Sequence, residues 1–187
     1  MKNSLLVVAF LLVTMFLSSY DKDRGIRHDE RSILTWKDFK GKVNKRSSYY
    51  ASTSSGYQYN AAFVGDSLRI VLPCMFYPEK SWVKKGKETE ALLKHEQGHF
   101  DLTEIYTRKM RREISSKKYA VKKVNKGIVK IIKKYSQQLN TAQKKYDSQT
   151  NHSVIEAEQQ KWNKKIEGDL QSSELYSKPI FMVKVKM

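Results

Sequence analysis

The sequence predicts an α+β fold in which a small antiparallel sheet packs on long helices, one of which carries a histidine-glutamate motif. Residues 32–82 are rich in Ser, Tyr and Gly and contain short β-branched stretches, whereas residues 87–170 show helical periodicity almost throughout. A chain of 187 residues is long enough for one domain of ordinary size and barely long enough for two. With 40% hydrophobic and 11% aromatic residues it can form a core, which excludes wholesale disorder. We therefore assign residues 32–187 to a single domain.

An apolar run near the start of the chain predicts export. It follows Lys2, extends from Leu5 to Leu17, and is succeeded by two serines and a charged stretch, which is typical of a secretory signal peptide. As a helix the run would span roughly 20 Å, less than the ~30 Å of membrane hydrocarbon. We therefore predict a signal peptide over residues 1–19, a flexible segment over 20–31 and a periplasmic or extracellular location. Retention by an uncleaved N-terminal segment is the alternative.

Two to four short strands are expected within residues 32–82. The segment from Ser67 to Leu72 is partly alternating and β-branched, and it ends at a proline. The segment from Tyr49 to Asn60 fits either a flexible loop or a pair of half-polar strands. Near the end of the chain, apolar residues alternate with lysine after Pro179, which predicts a further strand.

Three helices are predicted after Gly86, from about Lys87 to Ser115, Val121 to Tyr146 and Ile155 to Leu170. In the second helix, apolar residues recur at three- and four-residue spacing. This pattern indicates one buried seam opposite a wide lysine face.

The motif His95-Glu96-Gln97-Gly98-His99 has the spacing of a metal site on a helix. At ~100° per residue the two histidines lie within roughly 40° of each other, one turn apart, so both imidazoles can face one ion. Glu96 lies about 100° round the helix, where its carboxylate can act on a water molecule. Gly98 removes a side chain beside the second histidine and would let a neighbouring element approach closely.

Zinc is the metal that best suits these ligands, with manganese or cobalt as alternatives. The single cysteine, Cys74, excludes a multi-cysteine site. A third ligand must come from outside the motif's helix, and two histidines remain. His28 lies in a charged stretch predicted to be a mobile surface. His152 lies in a polar break after the second helix, where it either folds back over the first helix or is exposed. Asp147 either accepts a hydrogen bond from a ligand imidazole or is a helix-end carboxylate.

These segments together resemble a bacterial family, domain of unknown function 922, which is predicted to consist of secreted zinc-dependent proteases. The resemblance rests on HEQGHFDLTE (His95 to Glu104), YDSQTNH (Tyr146 to His152), the Trp36–Phe39 segment, and Gln160 and Trp162 of QQKWNKKI. It spans roughly residues 36–166. It implies a zincin-like fold and one Zn²⁺ per chain, with His95, His99 and His152 as ligands and Glu96 as catalytic base.

The chemistry implied is metal-assisted hydrolysis of a peptide or protein substrate, in which Glu96 takes a proton from water and passes it to the leaving amine. Tyr146 or Tyr106 would donate a hydrogen bond to the oxyanion, and the sequence does not distinguish between them. The strand from Leu68 to Leu72 is the predicted edge on which an extended peptide would pair.

The positive charge is concentrated in the helical part. The whole chain has 36 Lys+Arg against 19 Asp+Glu, and residues 108–145 hold fourteen Lys+Arg and one acid, Glu113. This face is either a solvated helix surface or a site for an anionic envelope surface; nucleic acid is disfavoured because no stacking aromatics accompany the lysines. The alternative function is therefore a catalytically inactive or metal-stabilised envelope-surface binding protein that acts through its basic helices. No pattern indicates an oligomeric state.

Overall fold

The computed structural model describes residues 25–186. The predicted signal peptide over residues 1–19 and the first part of the predicted flexible segment lie outside these residues. Within 25–186, no helix combines the length and the apolar character needed to cross a membrane.

Three helices dominate the structure: α1 (Glu90–Ser115), α2 (Val124–Thr150) and α3 (Glu156–Ser172). α1 begins after Thr89, whose side chain accepts a hydrogen bond from the backbone N–H of Leu92. α2 extends one turn further than the sequence predicted, so the expected break after Tyr146 is wrong. The Thr150 hydroxyl donates to the Tyr146 carbonyl within the helix, and Asn151 then ends α2 in a left-handed conformation with φ 46°.

Within residues 25–186, nine short strands form three small sheets, and all but one of the pairings are antiparallel. One sheet has the order β1-β6-β3, a second pairs β2 with β7, and the third has the order β4-β5-β9-β8, in which β8 and β9 are parallel. The strands are β1 (Ile26–Arg27), β2 (Ala51–Ser52), β3 (Ser55–Tyr57), β4 (Asn60–Val64), β5 (Ser67–Val71), β6 (Cys74–Phe76), β7 (Trp82–Val83), β8 (Tyr119–Ala120) and β9 (Ile180–Lys186). The fold is therefore α+β with small, largely antiparallel sheets, as predicted. Residues 32–82 contain six strands where two to four were expected, because two of them have only two residues each.

The predicted strand after residue 66 is β5, but it cannot receive a peptide. β5 pairs with β4 on one side and with β9 on the other, so both edges are hydrogen-bonded. The expectation that a substrate pairs with this strand is therefore wrong. The strand that covers its second edge comes from more than a hundred residues along the chain, so no local pattern could indicate it.

The structure also differs from the sequence prediction in the segment 25–31. β1 pairs with β6, and Gly25 permits the approach because a Cβ there would lie 2.6 Å from the carbonyl oxygen of Phe76. His28 is buried, where a mobile surface residue was expected. Its backbone N–H donates to the Cys74 carbonyl, and its Nε2 lies 3.1 Å from Oδ1 of Asp101 on α1. This stretch is thus joined to the rest of the domain.

α1 contributes to all three apolar clusters of the domain. Phe100 packs under β6, Leu102 and Ile105 pack against α2 and α3, and Met110 and Ile114 pack beneath the four-stranded sheet. Because the helix is held along its whole length, the motif near its first turns is presented from a rigid support.

A buried ion pair joins α1 to the C-terminal part of the chain. Glu104 and Arg111 are each 1% exposed, and the Arg111 guanidinium approaches the Glu104 carboxylate to 2.8 Å. The same guanidinium donates to the carbonyls of Leu72, after β5, and of Tyr176, before β9. It thereby fixes both strands against the helix.

Candidate metal centre

α1 places the paired histidines of the motif together. His95 is 2% exposed, and its Nε2 lies 3.2 Å from Nε2 of His99. The two rings are perpendicular, with centroids 4.8 Å apart. Both imidazoles therefore present the same nitrogen to one point, as the one-turn spacing predicted.

Asp147 reaches the same point from the last turns of α2. Its Oδ1 lies 3.2 Å from Nε2 of His95 and 2.9 Å from Nε2 of His99. A tetrahedral zinc ion with bonds of ~2.0–2.1 Å separates its ligand atoms by about 3.3 Å, so this triangle has the dimensions that zinc requires. Asp147 was considered as a partner of a ligand imidazole; the structure instead places its oxygen at ligand distance. The extra turn of α2 is what brings it there.

His152 adds a fourth donor. Its Nδ1 lies 3.4 Å from Oδ1 of Asp147, and the ligand atoms of His95, Asp147 and His152 lie within 4.8 Å of one another. Its side chain is 39% exposed and lies against the ring of Tyr49, with centroids 4.4 Å apart. The turn that carries it, 151–153, has three successive non-glycine residues with φ of 46°, 53° and 77°. Such conformations are unfavourable for side-chain-bearing residues and concentrate at functional sites.

Gln159 of α3 fixes the tautomer of His95. Its Oε1 lies 3.0 Å from Nδ1 of the imidazole, and its Nε2 donates to the Tyr146 hydroxyl and to Oδ1 of Asn163. Because the amide oxygen only accepts, Nδ1 must carry the hydrogen. The lone pair of Nε2 is therefore left for a metal ion.

Gln143 of α2 does the same for His99. Its Oε1 accepts from Nδ1 of the imidazole, while its Nε2 donates to the His99 carbonyl. Sequence reasoning missed both glutamines, although helical spacing placed each on a buried face. Gln143 lies four residues after Leu139, and Gln159 lies three before Trp162.

Gln160, which the family resemblance singled out, lies away from this centre. Its side chain is exposed and donates to Glu156 on the surface of α3. Trp162, the other residue of that segment, is buried; it packs against Tyr146 and donates from Nε1 to Gln149. The glutamine that serves the metal centre is therefore its neighbour, Gln159.

The metal-free cluster holds an ion pair. Burial by itself would raise the pKa of Asp147, but hydrogen bonds from His95 and His99 hold that pKa well below its usual range. Burial would lower the pKa of His99, but the hydrogen bond to Asp147 and the charge of Glu96 outweigh it and raise the pKa. The carboxylate of Asp147 thus favours the protonated form of His99, and a cation at the same point would compete with that proton.

Glu96 is the third residue of the motif to face this region. It is 4% exposed and lines the cleft, and its Oε2 is buried without a hydrogen-bond partner among residues 25–186. Leaving a buried acceptor unsatisfied costs about 1–3 kcal/mol, and more if it is charged. This oxygen is therefore positioned for a donor that arrives with a bound molecule.

An open cleft of about 670 Å³ gives access to the cluster. α1 and α2 form one wall, and residues 48–55 form the other. The second wall is attached to the motif, since the Thr53 hydroxyl donates to the Glu96 carbonyl at 3.1 Å. Among the strands of the described chain β2 pairs only with β7, so its other edge is open to pairing. This edge borders the cleft, whereas both edges of β5 are already paired.

Neither tyrosine predicted to stabilise an oxyanion lines the cleft. Tyr146 is fully buried: its ring stacks on His95 and its hydroxyl donates to the His95 carbonyl. Gly98 makes this possible, because a Cβ there would overlap the Tyr146 hydroxyl, which confirms the close approach expected at that glycine. Tyr106 packs against the cluster formed by α1, α2 and α3, with Lys109 over its ring. The oxyanion role fits neither position.

Comparison with known proteins adds the family. The family described as "Bacterial protein of unknown function (DUF922)" matches residues 34–153, a stretch that contains α1, α2 and all four donors of the cluster. No curated protein and no solved structure matches the chain. Since the matching region covers more than half of the 187 residues, the chain belongs to the DUF922 family of bacterial proteins.

Proposed function

We propose that this protein is an exported, zinc-dependent metallopeptidase with a zincin-like arrangement of its site helix. The observation that supports this most strongly is the buried, unpartnered Oε2 of Glu96, which lies in an open cleft beside four converging metal donors. A structural metal site needs no such carboxylate, whereas hydrolysis needs a base.

Three of the four donors suffice to hold the ion. His95, His99 and Asp147 are the buried and half-buried members and lie closest together, so we assign them as the permanent ligands. Their nitrogen and oxygen atoms suit zinc, with manganese and cobalt as alternatives. His152 is the most exposed donor, and we assign it as the weakest, because three protein ligands and one open position are typical of a catalytic zinc site.

The residues of the cleft then have separate roles. When bound, zinc supplies a lowered pKa for a water molecule and polarisation of the scissile carbonyl. Glu96 accepts the proton as the water oxygen adds to the carbonyl carbon, and it delivers that proton to the amide nitrogen as the carbon–nitrogen bond breaks. The unpaired edge of β2 orients the peptide along the cleft. His152, at the rim of the cleft, would then be placed to donate to the carbonyl oxygen.

Metal stoichiometry tests the ligand assignment. We expect one zinc per chain by elemental analysis, lost in His95→Ala, His99→Ala and Asp147→Ala but retained with weaker affinity in His152→Ala. Absence of stoichiometric metal after zinc reconstitution would overturn the proposal.

Glu96→Gln tests the reaction. The substitution keeps the size of the side chain and leaves every donor in place, so zinc should remain bound. Peptide hydrolysis should fall by roughly 10²–10⁴-fold because the base is gone. Hydrolysis that survives this substitution would contradict the assigned role.

A second function is favoured by the number of donors. If all four bind at once the site is closed, as structural zinc sites are. The protein would then be a metal-stabilised binding protein that acts at the envelope. In that case zinc would raise the melting temperature, His152→Ala would weaken binding as much as His99→Ala, and Glu96→Gln would change no function.

Export is proposed from residues that lie outside the described structure. Mass analysis of the protein recovered from outside the cytoplasmic membrane should show cleavage after about residue 19. Full-length protein confined to the cytoplasm would contradict it.

A further inference from the structure

Four elements meet at the end of the molecule that is far from the metal centre. They are the turn between β4 and β5, the end of β9, the short strand β8 and the first turn of α2. The pairing register shows this directly, since Val64 lies opposite Ser67, Ser67 opposite Lys184, and Ala120 opposite Lys186. We call this region the distal end.

Apolar side chains are exposed at the distal end. Phe63 and Val64 are 55% and 54% exposed, and Val121, just before α2, is 38% exposed. Phe63 and Val121 also line a shallow cavity of about 340 Å³. A group of large apolar side chains left open to solvent marks a surface that contacts something else.

Lysines surround this apolar group. Six of them are exposed and take part in none of the ion pairs found within residues 25–186: Lys118, Lys122, Lys123, Lys126, Lys184 and Lys186. The acidic residues nearby do not neutralise them. Asp66 brings one negative charge against six positive ones and forms no ion pair within residues 25–186, and Glu113 already pairs with Lys117 and Lys134. The distal end is therefore both apolar and strongly cationic.

We infer that the distal end binds the surface of an anionic phospholipid bilayer. Exposed Phe and Val side chains can enter the boundary between headgroups and acyl chains, while the surrounding ammonium groups contact anionic headgroups. A nucleic acid would use the lysines and leave the apolar group in water. An apolar protein partner would bury the group at the cost of desolvating six cations.

The inference does not depend on the peptidase proposal, because the two sites are far apart. Twenty-three residues of α2 separate Val124 from Asp147, which is roughly 35 Å at 1.5 Å per residue. A molecule seated on a bilayer by its distal end would hold the cleft that far from the lipid.

Vesicle co-sedimentation of the full chain tests the inference. The readout is the ratio of binding to phosphatidylglycerol-containing vesicles over binding to phosphatidylcholine vesicles, because the apolar N-terminal run contributes to both. We expect a ratio well above one that falls as salt is raised.

The triple variant Lys122→Gln/Lys123→Gln/Lys126→Gln should lower this ratio by roughly fivefold for each lysine removed. Phe63→Ser should lower the amount bound to the phosphatidylglycerol-containing vesicles themselves, and Val64→Ser provides a second apolar variant should the first alter the urea midpoint.

Matched controls separate the distal end from general charge. The triple variant Lys144→Gln/Lys145→Gln/Lys164→Gln removes the same charge from exposed positions elsewhere, and Leu175→Ser removes a side chain that is 83% exposed. The first should leave the ratio unchanged, and the second should leave the amount bound unchanged. An equal loss in the controls, or no preference for anionic vesicles in the parent, would overturn the inference. So would a concentration-dependent dimer that disappears in Phe63→Ser.

Discussion

The uncharged amides of Gln159 and Gln143 orient the imidazoles of His95 and His99. In many metal sites a carboxylate has this role. A carboxylate could take the Nδ1 proton, whereas the amide oxygen of Gln159 only accepts a hydrogen bond, so the neutral imidazole of His95 keeps its hydrogen on Nδ1 and leaves Nε2 free. We expect Gln159→Leu to weaken zinc binding by roughly 10–100-fold, measured by competition with a chelator. Gln160→Leu, one position along and on the surface, is the matched control and should bind zinc like the parent.

The proton on His99 makes zinc binding and metal-free stability respond to pH in opposite directions. Its raised pKa means that zinc must displace this proton, so the apparent affinity should fall by about tenfold per pH unit below that pKa. In the metal-free protein, the stabilisation from the charged imidazole is complete below the unfolded-state pKa of ~6.5 and is lost as pH rises through the higher folded-state pKa. Urea midpoints at pH 6 and pH 8 should show this loss in the parent and not in His99→Gln.

Gly98 and Gly168 provide a paired test of close packing. A methyl group at Gly98 would overlap the Tyr146 hydroxyl, so Gly98→Ala should destabilise the protein by about 1–3 kcal/mol in urea unfolding. Gly168 lies in α3 with nothing within 4 Å of its would-be Cβ, so Gly168→Ala should stabilise by about 0.5–1 kcal/mol. The two Gly→Ala substitutions should thus change the free energy of unfolding in opposite directions. Stabilisation by both would contradict the packing described at Tyr146.

At the scale of elements, the sequence predicted what depends on neighbouring residues. The three helices, the strand β5 and the alternating β9 all carry their own periodicity, and the one-turn spacing of His95 and His99 required only a helix. The final turn of α2 was missed because polar residues there were interpreted as a break, and the helix continues through Thr150. That single turn decides whether Asp147 lies in a loop or beside His95 and His99.

Elements distant in sequence were beyond prediction for a physical reason. The contacts of Asp147 and Gln159 with the motif depend on how α2 and α3 pack on α1, which no local pattern specifies. The pairing of β9 with β5 likewise depends on the whole topology. For the same reason the sequence could not show that both edges of β5 are paired while β2 has one unpaired edge.

At the scale of the whole molecule, the buried pair of Glu104 and Arg111 connects regions that are distant in sequence. Glu104→Gln would leave the guanidinium uncompensated in the interior, and we expect a loss of about 3–5 kcal/mol in urea unfolding. Glu113→Gln is the matched control, since its partners Lys117 and Lys134 are exposed and the loss should stay below about 1 kcal/mol. Similar losses in both variants would contradict the structural role of the buried pair.

The position of β9 within its sheet has a consequence for the timing of folding. β5 is made early, yet one of its neighbours is β9, and the register joins Leu68 to Val183. The ribosome must therefore translate nearly as far as Lys186 before the four-stranded sheet can close, because β8 too pairs only with β9. A nascent chain is left with an unfinished sheet until residues 180–186 have been made. A secretion machinery that requires unfolded cargo would thus meet this domain without its four-stranded sheet up to that point.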